Sequence, residues 1–216
     1  AIFAQFIFVL LCLACIVRLH AHPNAVAADM RHPVRHAFMA ALPVSILLLA
    51  SLGINLLWGS DRTLDWALRF LWCVGSILEI AATIWVVGRW LKSTENGGLQ
   101  WAALTPAFFI PVVGNVLAPL GGVSIGLEAW ATAQFGVGVF LWVVLQTLMF
   151  VRMAQAGPLP ARMAPTWFIT MVPPSLMGLS LLQLDAPLTL AWMMWGIGAF
   201  FLCLSLTQVH TVREQP

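Results

Sequence analysis

The sequence predicts an all-α integral membrane protein built of repeated helical hairpins, in which kinked helices alternate with straight ones. Three observations carry this. Hydrophobic residues fill 61% of the 216 positions and charged residues only 8%, where a soluble domain carries roughly 25% charged; mean hydropathy is +0.94. Apolar stretches recur at about the 20-residue length that a helix needs to cross a bilayer. Prolines interrupt alternate stretches and spare those between. The composition excludes a disordered chain, a nucleic-acid-binding protein and a secreted disulfide scaffold. Cys12, Cys15, Cys73 and Cys203 all lie inside apolar runs and read as small buried hydrophobes.

Seven stretches qualify as spans, here A to G. A is Ala1 to Val17, B about Ala37 to Trp58, and C about Asp65 to Trp90, interrupted by Glu79. D runs from about Thr105 to Val123, E from Ala129 to Val151, F from about Pro165 to Leu184, and G from Pro187 to about Val209. A helical bundle follows, because in lipid the backbone must satisfy its own hydrogen bonds.

The basic residues set the expected orientation. The A–B loop holds Arg18, Arg31 and Arg35, the C–D loop Arg89 and Lys92, the E–F loop Arg152 and Arg162, and the tail Arg213. The opposite loops hold only Arg62, with Arg69 just inside C. The positive-inside rule therefore places the A–B, C–D and E–F loops in the cytoplasm. The chain begins without Met inside an apolar run. A preceding span is expected, since A would otherwise start outside.

The prolines reveal a repeat. B holds Pro43; D holds Pro106, Pro111 and Pro119; F holds Pro165, Pro173 and Pro174. A, C and E hold none, and G has only Pro187 in its first turn, where proline is harmless. Pro43, Pro111 and Pro173 recur 68 and 62 residues apart, which marks hairpins B–C, D–E and F–G. A proline removes a backbone donor and bends the helix. Broken backbone at membrane depth survives only inside protein or beside a water-filled path. The kinked spans are therefore expected inside and the straight ones outside.

Stripes of small, mildly polar residues agree. They are Ala41, Ser45, Leu48, Leu52 and Asn55 on B, and Pro111, Asn115, Ala118 and Gly122 on D with Gly114 beside them. On F they are Thr166, Thr170, Pro173 and Met177. Small residues also permit tight helix packing; three such stripes in register favour an inner ring.

The run Arg31-His32-Pro33-Val34-Arg35-His36-Ala37-Phe38 followed by Leu42-Pro43 resembles the start of the third span of the tellurite-resistance/C4-dicarboxylate transporter family, which includes the plant guard-cell slow anion channels. Thr105-Pro106-Ala107-Phe108-Phe109-Ile110-Pro111-Val112-Val113-Gly114-Asn115 is similar to its fifth span. Pro160-Ala161-Arg162, Pro165 and Val172-Pro173-Pro174 resemble its seventh. The resemblance covers essentially the whole chain and implies ten helices in five hairpins around a central anion-conducting pore, assembled as a homotrimer. A to G would then be family spans two to eight. The family's occluding phenylalanine belongs to the ninth span, so no residue here matches it. One transmembrane domain over residues 1–216, incomplete at both ends, is the expected organisation.

Other constellations carry less. His20, His22, His32 and His36 share the A–B loop; they are too few for the histidine boxes of membrane di-iron enzymes and read as interfacial residues, so no metal is expected. No cofactor is expected, because no in-membrane haem ligand, phosphate loop or catalytic triad is present. Glu79 is the one acid deep in a span, a proton site or a structural hydrogen-bonding group. As a residue of an outer helix it is expected to face away from the pore.

The expected function is an anion channel or uniporter, not an enzyme. It would pass small inorganic or organic anions, C4-dicarboxylates among the candidates, across a bacterial inner membrane. The partners would be those anions and membrane lipid, with no nucleic acid. Ser45, Pro43, Pro111, Gly114, Asn115, Ala118, Thr170 and Pro173 are the candidate pore-lining residues. A proton-coupled exporter of organic acids or toxic compounds using Glu79 is the alternative.

Overall fold

The computed structural model describes the backbone of residues 2–32, 34–92 and 98–213, and within these the side chains other than 2–6, 9, 12, 161, 162 and 208–213. Pro33 and the side chains of Cys12, Arg162, His210 and Arg213 therefore lie outside the described residues. Span A is helix α1 (Ile2–Ala21). A short helix not foreseen from the sequence, α2 (Pro23–Arg31), follows in the A–B loop. The later helices are α3 (Ala41–Leu57), α4 (Arg62–Trp90), α5 (Ile110–Val116), α6 (Pro119–Gly122), α7 (Glu128–Ala156), α8 (Val172–Gln183) and α9 (Leu188–Arg213).

The straight spans are long because nothing in them interrupts the backbone ladder. C is one helix, α4, with Asp61 at its N-cap accepting from Thr63 N at 2.7 Å and Leu64 N at 3.0 Å. Those amides, Leu64's first, hold the Asp61 carboxyl below the ordinary carboxylate range. E is α7 and G is α9. Among the described residues four helices are long and apolar enough to cross a membrane: Arg35–Leu57, Arg62–Trp90, Glu128–Ala156 and Leu188–Thr207.

The broken spans share a construction. Each opens in a 3-10 stretch and passes into an α-helix: Arg35–Ala40 into α3, Pro106–Phe109 into α5, and Ala161–Met171 into α8. Pro43, Pro111 and Pro173 each sit in the first turn of the α-helix that follows. They are therefore not mid-helix kinks, as the sequence had suggested, but α-helix starts, where the missing N–H costs little. The break lies one step earlier, in the 3-10 segment. Eleven residues of 3-10 helix in F far exceed the usual three or four.

Each broken span packs on the straight helix that follows it: α3 on α4, α5 on α7, and α8 on α9. The three hairpins expected from the proline repeat are thus present. D lies at the centre, with α5 also touching α3, α4 and α8. Leu104 to Phe109, Val112 and Gly114 to Pro119 are all buried. The straight helices turn apolar faces outward; on α4, Phe70, Ile77, Ile84 and Leu91 form an exposed stripe at heptad spacing.

Candidate functional site

The site is built around D. Its two short helices are separated at Leu117–Ala118, because Pro119 has no N–H to offer the Asn115 carbonyl; Ala118 N reaches that oxygen instead at 3.4 Å. Side chains from other spans serve the backbone around this break. Asn55 of α3 donates to Leu120 O at 2.7 Å, and Ser180 of α8 donates to Val116 O at 2.6 Å. A broken helix in lipid needs such donors, and here B and F supply them.

The third support comes from C, whose inner face carries Glu79 against D. Glu79 is fully buried, and its carboxyl occupies the notch left by the missing side chain of Gly114: a Cβ there would lie 2.2 Å from Glu79 Cδ. Thr83, one turn on, donates to Glu79 Oε1 at 3.5 Å and accepts from Asn115 Nδ2 at 2.7 Å. Asn115 Nδ2 also donates to Pro111 O at 2.7 Å. One helical repeat away on α4, Trp72 fills the corresponding notch at Gly122, where a Cβ would meet Trp72 Cζ2 at 2.6 Å. So Trp72 and Glu79 fit as two pegs into D. The i, i+7 spacing that aligns them was visible in the sequence; the partner glycines could not be matched to them without the fold.

A second polar pair joins α4 to α7. Ser76 Oγ donates to Gln134 Oε1 at 2.6 Å and accepts from Trp130 Nε1 at 2.7 Å. Among the described residues, Glu79 Oε2 and Asn115 Oδ1 are buried without a hydrogen-bond partner.

The structure separates the eight candidate wall residues. On B, Pro43 is buried and Ser45 half-buried, and the remainder of its stripe is open, with Leu48, Leu52 and Asn55 exposed. On D, Pro111, Gly114, Asn115 and Ala118 are all buried, and Gly114 and Asn115 face C. On F, Thr170 and Pro173 are buried. Val44 of B, Val113 and Leu120 of D and Leu176 of F each pack against a buried cluster to which D contributes Leu117 and Ala118, the latter one of the eight. Val113 lies in the run Thr105 to Asn115 that carries the resemblance; the other three belong to no motif.

Four other polar side chains on B and F turn back on their own backbones. Ser45 donates to Ala41 O at 2.7 Å, Thr166 to Met163 O at 2.6 Å, Thr170 to Trp167 O at 2.7 Å and Ser175 to Met171 O at 2.8 Å. What remains is a neutral surface.

At the basic end, His32 Nδ1 accepts from Val34 N and Arg35 N at 3.1 and 3.2 Å, and His36 lies edge-on to Phe108 and Trp85. Both act in local folding. Arg152, buried at the end of α7, donates to Gly157 O. Asp29 of α2 pairs with Arg35 at 2.9 Å and with Arg18, and these bonds, Arg35's first, hold its carboxyl below the usual value.

Broken spans alternating with long apolar helices define an all-α multi-pass membrane protein. The chain belongs to the SLAC1 family, described as voltage-dependent anion channel, whose pattern matches residues 1–215. It is 27% identical over 185 residues to the S-type anion channel SLAH2 of Arabidopsis thaliana, covering 85% of this chain and 34% of that one. It is 28% identical over 152 residues to SLAH3 of the same plant, covering 70% and 23%. It is 27% identical over 165 residues to an uncharacterized transporter of Methanocaldococcus jannaschii, covering 68% and 43%. The chain thus spans less than half the length of these relatives.

Proposed function

We propose that this chain forms the central part of an anion channel or uniporter, and that it is not an enzyme. The observation that carries the reading is the meeting of three broken spans at a neutral surface. Val44, Val113, Leu120 and Leu176 pack against one buried cluster there, and Ser45 and Ser175 spend their hydroxyls on their own helices. A path that conducts must hold its ion weakly, and a wall without free charge does so. The names of the plant relatives support anions as the cargo.

In this reading the anion passes B's open stripe, with Ser45 and Pro43, and the half-buried edge of D. Gly114, Asn115, Pro111 and Ala118 form the back of the wall, and Thr170 and Pro173 set F beside it. The basic loops lie on the cytoplasmic face, where they raise the local anion concentration. C4-dicarboxylates, a cell-membrane location and a homotrimer with one path per subunit complete the proposal, on the resemblance alone.

A second reading has one observation in its favour: Glu79, buried beside D's break with Oε2 unpartnered, is placed where a coupled exporter would carry a proton. Reconstitution of the full-length protein in liposomes separates the two. A channel passes chloride without proton movement, and Glu79→Gln keeps that flux in the protein that folds. Proton uptake coupled to organic-acid efflux, lost in Glu79→Gln, would replace the first reading with the second.

A further inference from the structure

We propose that the basic end of α4 holds an anionic phospholipid, its phosphate among Arg31, Arg89 and Lys92 and one acyl chain between α4 and α7. Two cavities flank the last turns of α4. One, of about 380 Å³, is lined by Ala27, Met30, Arg31, Trp85, Arg89 and Lys92. Three of those six residues are cations, and no carboxylate is among them. The nearest acid on α2, Asp29, is already held by Arg18 and Arg35. Arg89 is fixed in place: its Nη2 donates to Arg31 O at 3.0 Å and Nη1 to Met30 O, and its guanidinium lies 5.7 Å from the Trp85 ring centre. It therefore caps the C-terminal end of α2 and anchors Arg31 over the cavity.

The other cavity, of about 570 Å³, is almost wholly apolar and lies on the outer surface between α4 and α7. Ile84, Val87, Gly88 and Leu91 form one side, and Gly136, Val137 and Phe140 the other. Ile84, Leu91 and Phe140 are exposed, as residues in contact with lipid chains would be.

The two cavities occupy adjoining faces of the same turns. Gly88 lies between them on the helix surface, with Lys92 one turn further on and Trp85 three residues back. A Cβ at Gly88 would meet nothing within 4 Å, so no atom blocks a crossing of the helix surface at that residue. A charged cavity at the end of α4, with an apolar groove on the adjoining face of the same turns, matches a phospholipid at both its ends. A soluble anion would use only the first. Basic pockets between helices at the membrane surface are sites for acidic headgroups. The groove ends at Thr83, which accepts from Asn115, so the chain end touches the residue that ties C to D.

This site does not depend on what the protein transports, and the test reads binding alone. The full-length protein is purified in detergent and offered phosphatidylglycerol or phosphatidylcholine with matched acyl chains, and retained lipid is read by native mass spectrometry. The expected result is preferential retention of phosphatidylglycerol, weakened roughly ten-fold or more in Arg31→Gln/Lys92→Gln and kept in Arg31→Lys/Lys92→Arg. Gly88→Phe, which fills the crossing, should lower retention of phosphatidylglycerol without altering the charge. Inorganic phosphate should fail to displace the lipid at concentrations that leave the protein folded. Unchanged preference in Arg31→Gln/Lys92→Gln would overturn the proposal. So would displacement by phosphate alone, which would assign the cations to a soluble anion.

Discussion

Spans B and D both begin in a 3-10 stretch and both enter an α-helix with a proline in its first turns, at Pro43 and Pro111, yet only B then runs unbroken, to Leu57. D breaks again before Pro119. B keeps its stripe open and Ser45 bonds within its own helix. D is enclosed, and its backbone and side chains are served by Asn55, Ser180 and Thr83 from three other helices. A proline at a helix start is a local matter, because the lost donor was not needed there. A second break at membrane depth leaves carbonyls that only neighbours can satisfy. Substitutions in D should therefore be felt across four helices, and that of Ser45 in B within one turn.

The largest effect is expected at Gly114. Gly114→Leu would drive its side chain into the fully buried Glu79 carboxyl; a loss of about 3 kcal/mol follows, seen as loss of monodisperse full-length protein. Gly114→Ala is milder, and adding Glu79→Ala should restore part of its stability. Normal yield of Gly114→Leu would break the contrast at its strongest point.

Next is Asn115. Asn115→Leu removes the donor that joins D to Thr83 and leaves buried acceptors unsatisfied, a cost of about 1–3 kcal/mol in thermal unfolding. Much of this was legible in the sequence and part was not. The hairpin repeat followed from proline spacing, and Gly114, Asn115 and Glu79 stood out as candidates by their chemistry. Their mutual contact did not, because it depends on the rotation of α4 about its axis, which an apolar outer stripe constrains only coarsely. A residue of an outer helix is expected to face away from the pore, and a straight outer helix also has an inner face, where Glu79 meets D. The short helix α2 was missed because its nine residues carry no apolar span, and its end is fixed by Arg89, 58 residues from Arg31.

Smaller effects should separate B's own bonds from those it lends to D. Asn55→Ala and Ser180→Ala should each cost about 1 kcal/mol, while Ser45→Ala should stay within about 0.5 kcal/mol, since its hydroxyl serves only its own helix. Equal losses in all three would erase the distinction.

The smallest effect concerns acid. The Asp29 carboxyl is held below its usual value of 3.8 by Arg35 and Arg18. Because the folded pKa is depressed, the contribution of this clamp is complete above the usual value and is lost as pH falls through the lowered one. Hydrogen exchange of the α2 amides should therefore be flat from neutral pH down to about pH 5 once intrinsic rates are removed, and Asp29→Asn should raise exchange at neutral pH. Protection that changes between pH 7 and pH 5 would point to another group.

The neutral meeting point of the broken spans as an anion path is tested most directly at Val113. Val113→Cys in the full-length protein is reconstituted in liposomes and then treated with a sulfonate-bearing or an ammonium-bearing thiol reagent, with the unsubstituted protein treated alongside. Fixed negative charge on the path should cut chloride flux about ten-fold or more, and fixed positive charge of similar size far less. Flux that is unchanged, or reduced equally by both reagents, would contradict an anion path along this face of D.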